Sequence, residues 1–197
     1  LPIVLYGKVD IMDCQGGTVE LVTKHAHFNM CPIGGRHCFY GRLYCPNWTQ
    51  LVINGILRIH EDCTIGNGCH IYIKPQAILE IKAASLIGAN TKIYCANRIE
   101  LGYNFHASWE CQIFDTNFHF VVKDSLVKRS SAPVVIGDNC WIGNRVTVMK
   151  GTKLGKWSIV ASNSLINKDF SNVEKGLYAG SPAKLISTNN QRIFRVS

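Results

Sequence analysis

The chain has 197 residues, 47% hydrophobic and 17% charged, with 21 Lys and Arg against 13 Asp and Glu and a formal net charge of +8. That length suits one domain with a sizeable core, and no apolar run approaches the roughly 20 residues that a membrane span requires. The basic balance points to an anionic ligand, but no basic run with interleaved aromatics appears, which argues against nucleic acid.

Residues 1–52 hold no long register. The opening "LPIVLYGKVDIMDC" has a brief apolar start but neither a preceding basic region nor a small-residue cleavage site, so no signal peptide is expected. Ile3 and Val9 are six apart and "GTVELVTKHAHF" alternates like a strand, which predicts irregular coils capping an otherwise open edge. Cys31, Cys38 and Cys45, with His37 nearby, lack the close Cys-x-x-Cys pairs of a zinc site and read as clustered thiols in a capping loop.

From residue 53 a period of six takes over. Ile53, Ile59, Ile65 and Ile71 are followed, after a ten-residue step around Pro75, by Ile81, Ile87, Ile93 and Ile99. That step predicts a small bulge or loop. The register lapses after Phe105 and returns as Ile136, Ile142, Val148, Leu154, Val160 and Ile166, with Cys140, Val146, Thr152, Ser158 and Ser164 in the small slot two places before the next aliphatic. Neither a helix nor a plain alternating strand repeats at six. An aliphatic and a small residue on one strand face, then Gly66, Gly88, Gly137, Gly143 or Gly155 where a corner is expected, describe a short strand plus a bend. Three such hexads close a triangular coil, and stacked coils bury a column that one repeat alone could not. A β-sandwich would show turn signals at longer spacing. Cys63, Cys69 and Cys140 fall in the buried slots, where a thiol acts as a small hydrophobe, and the nine cysteines are odd in number, so the expected compartment is a reducing cytoplasm.

The hexads "VVIGDN", "CWIGNR" and "TKLGKW", with the closing "LYAGSPAKLI" at 177–186, resemble the hexapeptide-repeat acyltransferases over roughly residues 50–186. The resemblance implies an all-β fold, a left-handed parallel β-helix with an ejected loop and a short C-terminal segment. It also implies a homotrimer and acetyl-coenzyme A as acyl donor, with no metal. The expected layout is a single domain: regular coils at 53–113 and 134–169, an ejected active-site loop at 114–133 and a closing segment at 170–197. Sugar O-acetyltransferases of this family carry an acidic-and-histidine segment similar to "DTNFH", residues 115–119, and there a histidine at the loop root is the general base.

The chemistry explains that choice. A sugar hydroxyl is a poor nucleophile at neutral pH, and an imidazole can take its proton as the oxygen attacks the thioester. His119 is the candidate base, with Asp115 as its orienting carboxylate, Asn117 between them, and His106 the competing base. On a straight strand Asp115 and His119 would lie about 13 Å apart, so their pairing requires a bend. His60 and His70 read as surface or packing residues on regular coils, and the "HAH" at 25–27 lies outside the match. Main-chain amides around Trp141 to Gly143 are candidate oxyanion donors. Trp141, Gly143, Ala161, Ser162, Lys168 and Lys184 are the candidate cofactor-binding residues, with Lys156 a further cation for the coenzyme's phosphates. Two other functions compete. A zinc hydratase of the γ-carbonic-anhydrase type would need paired histidines, but no His-x4-His occurs. A non-catalytic scaffold would use the column only for assembly.

Overall fold

An extended hexad spans only about 20 Å, too little to pair with itself, so it must find a strand in the next coil. The computed structural model describes residues 9–11, 18–21 and 49–193 and shows this solution on three faces of a triangular prism. Face one stacks Val9–Ile11, Thr49–Ile53, His70–Ile73, Lys92–Cys95, Gln112–Phe114, Thr147–Val148 and Leu165–Ile166. Face two stacks Thr18–Leu21, Ile56–Ile59, Ile78–Ile81, Arg98–Leu101, Val134–Ile136, Lys153–Leu154 and Asp169–Phe170. Face three stacks Thr64–Ile65, Leu86–Ile87, His106–Ala107, Trp141–Ile142, Ile159–Val160 and Leu177–Gly180, then closes with Ala183–Ser187, which runs antiparallel. All other pairings on the three faces are parallel, and the described residues form no helix, hence none long and apolar enough to cross a membrane. The molecule is an all-β parallel β-helix.

Two strands of the N-terminal segment join this stack, Val9–Ile11 on Thr49–Ile53 and Thr18–Leu21 on Ile56–Ile59. Residues 22–48, with "HAH", His37, Cys31, Cys38 and Cys45, lie outside the described residues, as does Ile3.

The register turns the hexads into columns. Ile65, Ile87, Ala107, Ile142, Val160 and Tyr178 lie above one another on face three, and Leu51, Ile71, Ile93, Ile113, Val148 and Ile166 on face one. Nearly every one of them is fully buried. The ten-residue step near Pro75 is a change of slot, because Ile73 and Leu79 also point inward, six apart and fully buried. Lys74 to Ala77 forms the intervening tight turn, closed by Ala77 N–H donating to the Lys74 carbonyl at 3.1 Å, with Gln76 at φ 66°.

The glycines do something other than turn the corner. The left-handed conformation falls two residues later, on Gly68, Asn90, Asn139, Arg145 and Trp157. Gly88 is instead required by close approach: a Cβ there would sit 2.4 Å from the carbonyl carbon and oxygen of Ser108 in the next coil. At the adjoining slots thiols and hydroxyls bridge coils. Cys69, Cys111 and Cys140 donate to the carbonyls of Gly88, Gly143 and Gly155 at 3.2, 3.1 and 3.2 Å, as Ser85 does to Gly102 at 3.1 Å. Burial pushes the Cys111 thiol up to about 11 and that of Cys140 to about 12, so both stay protonated donors at neutral pH.

The outer surfaces of the faces differ in chemistry. Face two carries an ion ladder in which Arg58, His60 and Arg98 surround Glu80, and Lys82 and Arg98 meet Glu100. Such half-exposed pairs contribute little stability, at most about 1 kcal/mol each, but they mark a water-facing side. Face three presents Leu86, His106, Trp141, Ile159 and Leu177 outward. The C-terminal segment folds back beside it, with Asn190 N–H on the Lys175 carbonyl and Arg192 on that of Asn104.

Ile142 is fully buried in the middle of its column. Ile142→Asp therefore places an unpaired carboxylate there, a cost of more than about 4 kcal/mol. The expected product is insoluble or lacks a cooperative melt by circular dichroism; a soluble variant melting with the wild type contradicts the register.

Candidate functional site

At each regular coil face one passes to face two through a tight corner, but between Phe114 and Val134 the chain leaves the prism. The excursion is an ordered hairpin. Thr116 bridges Ser131, Asn117 N–H donates to the Ser130 carbonyl at 2.8 Å, and Val121–Lys123 pairs antiparallel with Leu126–Lys128. Asp124 and Ser125, at φ 51° and 60°, form its two-residue turn, the conformation whose twist matches a hairpin. Phe120, Val121, Val122, Leu126 and Val127 on it are all exposed.

Asp115 is the residue that lets the coil open. Fully buried, it accepts from the main-chain N–H groups of Ala96 and Asn97, both at 2.7 Å, and from the Cys95 thiol at 3.7 Å. Its own carbonyl receives Ala132 N–H at 2.9 Å and so shuts the loop's root. The carboxylate thus caps the corner amides that an intact coil would satisfy with backbone carbonyls. Burial raises its pKa, and the amides of Ala96 and Asn97 pull it back.

The bend required for an Asp115–His119 pair is present, since Phe118 N–H returns to the Thr116 hydroxyl at 3.0 Å with Phe118 at φ 64°. It serves a different end. The Phe118 ring is laid edge-on against Tyr94 at 4.6 Å and Phe114 at 5.7 Å, on the outer side of face one, while Asp115 points inward. His119 follows, exposed, between that anchored ring and the hairpin. Asn117 is half-buried, its amide holding the hairpin's root.

His106, the competing base, sits on face three. Burial, with the charge of Arg192 added, holds its imidazole down to about 4, too weak a base to take a hydroxyl proton efficiently near pH 7.

Most of the candidate cofactor residues lie away from the hairpin, on face three or at its corner with face one, whereas Lys168 lies at the corner from face one to face two, the edge from which the hairpin leaves. Trp141 is on face three, its indole N–H donating to the Ser108 hydroxyl at 3.1 Å. Gly143, Ala161 and Ser162 follow at the corner from face three to face one, where Ser162 hydrogen-bonds Asn144. A Cβ on Gly143 would lie 2.6 Å from the Ser162 nitrogen, so its neighbour leaves room only for glycine. The amides of Trp141 and Gly143 donate to the Ser158 and Val160 carbonyls at 2.9 and 2.8 Å, so both are engaged in the inter-coil ladder. Lys168 and Lys184 are exposed and in no ion pair among the described residues, whereas Lys156 is held by Asp138 at 3.0 Å. A single chain therefore leaves His119 beside face one and Trp141 on face three. Among the described residues no three His, Cys, Asp or Glu groups converge on a point that could hold a metal ion.

Sequence reasoning missed the aromatic ledge that receives Phe118. Tyr72, Tyr94 and Phe114 occupy one register position in consecutive coils. Their shared slot was visible only once the coil lengths were known.

Residues 133–168 match the family model described as bacterial transferase hexapeptide (six repeats). The Escherichia coli K12 protein WbbJ, named for O-acetyl transfer in lipopolysaccharide biosynthesis, is 40% identical over 60 residues, 30% of each chain. Galactoside O-acetyltransferase of the same organism is 26% identical over 119 residues, 49% of this chain and 57% of that one. The chain thus spans under a third of WbbJ and little over half of the galactoside enzyme. Among solved structures, the polysialic acid O-acetyltransferase OatWY superposes with a TM-score of 0.62 at 21% identity, covering 76% of this chain and 83% of its own. The Bacillus cereus N-acyltransferase AntD, solved as a point mutant with dTDP and coenzyme A, gives 0.57 at 17% identity, over 69% of this chain and 74% of its own. These two structures share the fold.

The role of Asp115 is open to direct test. Asp115→Ala removes two charge-assisted hydrogen bonds from the loop root, together about 1.5–3 kcal/mol, so the melting temperature should drop by several degrees. An unchanged melting temperature would show that the loop root does not depend on that carboxylate.

Proposed function

We propose that this hexapeptide-repeat protein is an O-acetyltransferase that moves an acetyl group from acetyl-coenzyme A to a hydroxyl of a sugar or surface-polysaccharide precursor. The observation that carries the reading is His119, exposed on a hairpin whose root is locked by Asp115 and the ring of Phe118. The names of the partial relatives, acting in lipopolysaccharide biosynthesis and on galactosides, support the acceptor class.

In the proposed reaction the acceptor hydroxyl gives its proton to His119 as its oxygen attacks the thioester carbonyl. The carbon–sulfur bond then breaks, and the imidazolium returns the proton to the departing sulfur, so that coenzyme A leaves as thiol. Both substrates are held together, and no acyl group passes through the protein. Asp115 acts through position: by fixing the corner from which the hairpin springs it sets where the imidazole can stand. Lys184, on the closing strand of face three, and Lys168, at the corner from face one to face two, are the cations available to phosphates.

The separation of His119 from Trp141 supports a homotrimer in which the hairpin of one copy meets face three of the next, and the exposed apolar side chains of the hairpin suit such a contact. Cys63, Cys69, Cys95, Cys111 and Cys140 are free and buried, which supports a reducing cytoplasm.

His119→Ala removes the base from an exposed position outside the column. Thiol release from acetyl-coenzyme A with a saturating sugar acceptor should fall by about 10²–10⁴-fold, with acetyl-coenzyme A affinity by calorimetry unchanged. His106→Ala should keep most activity. The reverse pattern would place the base on face three.

A further inference from the structure

The outer side of face one forms a concavity of about 950 Å³ that runs along the coil axis and ends under the hairpin, at Phe118. Its floor is two parallel columns set by the register. One is polar, Gln50, His70, Lys92 and Gln112 in consecutive coils; beside it runs the ledge of Tyr72, Tyr94 and Phe114. Successive coils lie about 4.8 Å apart, so four of them extend some 14 Å, longer than one pyranose ring needs.

The ledge is self-supporting. Tyr72 and Tyr94 stack on each other at 4.7 Å and 10°, and Phe118 closes the top of Tyr94. Their faces are spent on one another, which leaves ring edges and phenol groups toward the groove. An apolar edge beside a row of amide and cationic groups, repeating once per coil, matches an extended glycan. The C–H side of each ring can rest on the ledge while its hydroxyls reach the polar row. Charge narrows the choice. Glu110 is the single acid among the lining residues, and the Arg145 guanidinium bridges it at 2.6 Å. Lys92, exposed at the centre of the polar row, is in no ion pair among the described residues.

We propose that face one is the acceptor subsite, and that it binds an extended acidic oligosaccharide lying along the coil axis with a carboxylate at Lys92 and a hydroxyl delivered to His119. The delivery rests on the acetyltransferase reading; the binding does not. The chemistry that recognises the ligand is the alternation of apolar ring faces, hydroxyls and carboxylates.

Binding and transfer can be read separately. The whole protein is titrated by calorimetry with galacturonate and sialate oligomers, short and long, and with maltooligosaccharides as neutral controls. The proposal expects one of the acidic series to bind, more tightly with length, and the neutral series to bind at least tenfold more weakly. Lys92→Glu should weaken that binding by about fivefold to tenfold or more, and a Tyr72→Ala, Tyr94→Ala double variant should remove the dependence on length, both melting as cooperatively as the wild type. His119→Ala should keep the preference for the acidic series and its dependence on length. Equal affinity for neutral and acidic oligomers, no binding of either acidic series, or indifference to Lys92→Glu overturns the proposal. So does a loss of oligomeric mass in the face-one variants by sedimentation, which would make the face a contact between copies. Binding without thiol release from acetyl-coenzyme A would leave the groove standing and remove the transferase reading.

Discussion

The amide-to-carbonyl hydrogen bond from each strand to the next coil governs the rest of this molecule. Because these bonds are parallel and in register, every residue has a fixed neighbour one coil on: Ile142 lies under Val160, and Val160 under Tyr178, eighteen residues later each time. Three hexads fill that interval, which is why the repeat is six. The coils must come within about 4.8 Å, and at Gly88 and Gly143 no side chain atom fits between them. Cysteine, serine and threonine fill the corner slots for the same reason, being small enough for the inside and able to donate to a carbonyl of an adjacent coil.

The ladder also explains how a β-helix can eject a loop without coming apart. Removing one corner strips partners from the amides of the preceding coil at Ala96 and Asn97, and one carboxylate, Asp115, replaces them. That residue holds the coil shut and the hairpin open at the same point. In the proposed reaction it acts as a positioning group for His119, which stands four residues on. A rigid column thereby fixes the proposed base at a height set by coil number, with the groove of face one on one side and the hairpin's apolar strands on the other.

Much of this was legible in the sequence. The aliphatic hexads identify the column because burial on the inside is a severe constraint, and the ejected segment lies inside the gap in the hexads between Phe105 and Ile136, although the coil itself runs on to Phe114. Other features were hidden by physics that acts between coils. Ile71 and Ile73 both point inward, so a coil can be longer than three hexads, and the ten-residue step at Pro75 signals a small turn without revealing that Ile73 and Leu79 carry the column past it. The glycines after the aliphatics look like corner residues, yet the left-handed residue is two positions later, often asparagine. Asp115 and His119 sit close enough in sequence to suggest a catalytic pair, whereas the aspartate's partners are Ala96 and Asn97, in the preceding coil. The ledge of Tyr72 and Tyr94 is a property of the stack and has no local signature.

The central claim is that an active site needs the hairpin edge of one copy and the Trp141–Ser162 edge of another. Subunit complementation measures this directly. His119→Ala lacks the proposed base, and Ser162→Trp, at an exposed corner, crowds the candidate cofactor residues while leaving the column intact. Each variant alone should release thiol from acetyl-coenzyme A at least about 100-fold more slowly than the wild type. After subunit exchange, confirmed by native mass spectrometry, mixed oligomers should regain activity because one interface carries both intact edges. Mixed oligomers that form and remain inactive would contradict the account, as would a fully active monomer.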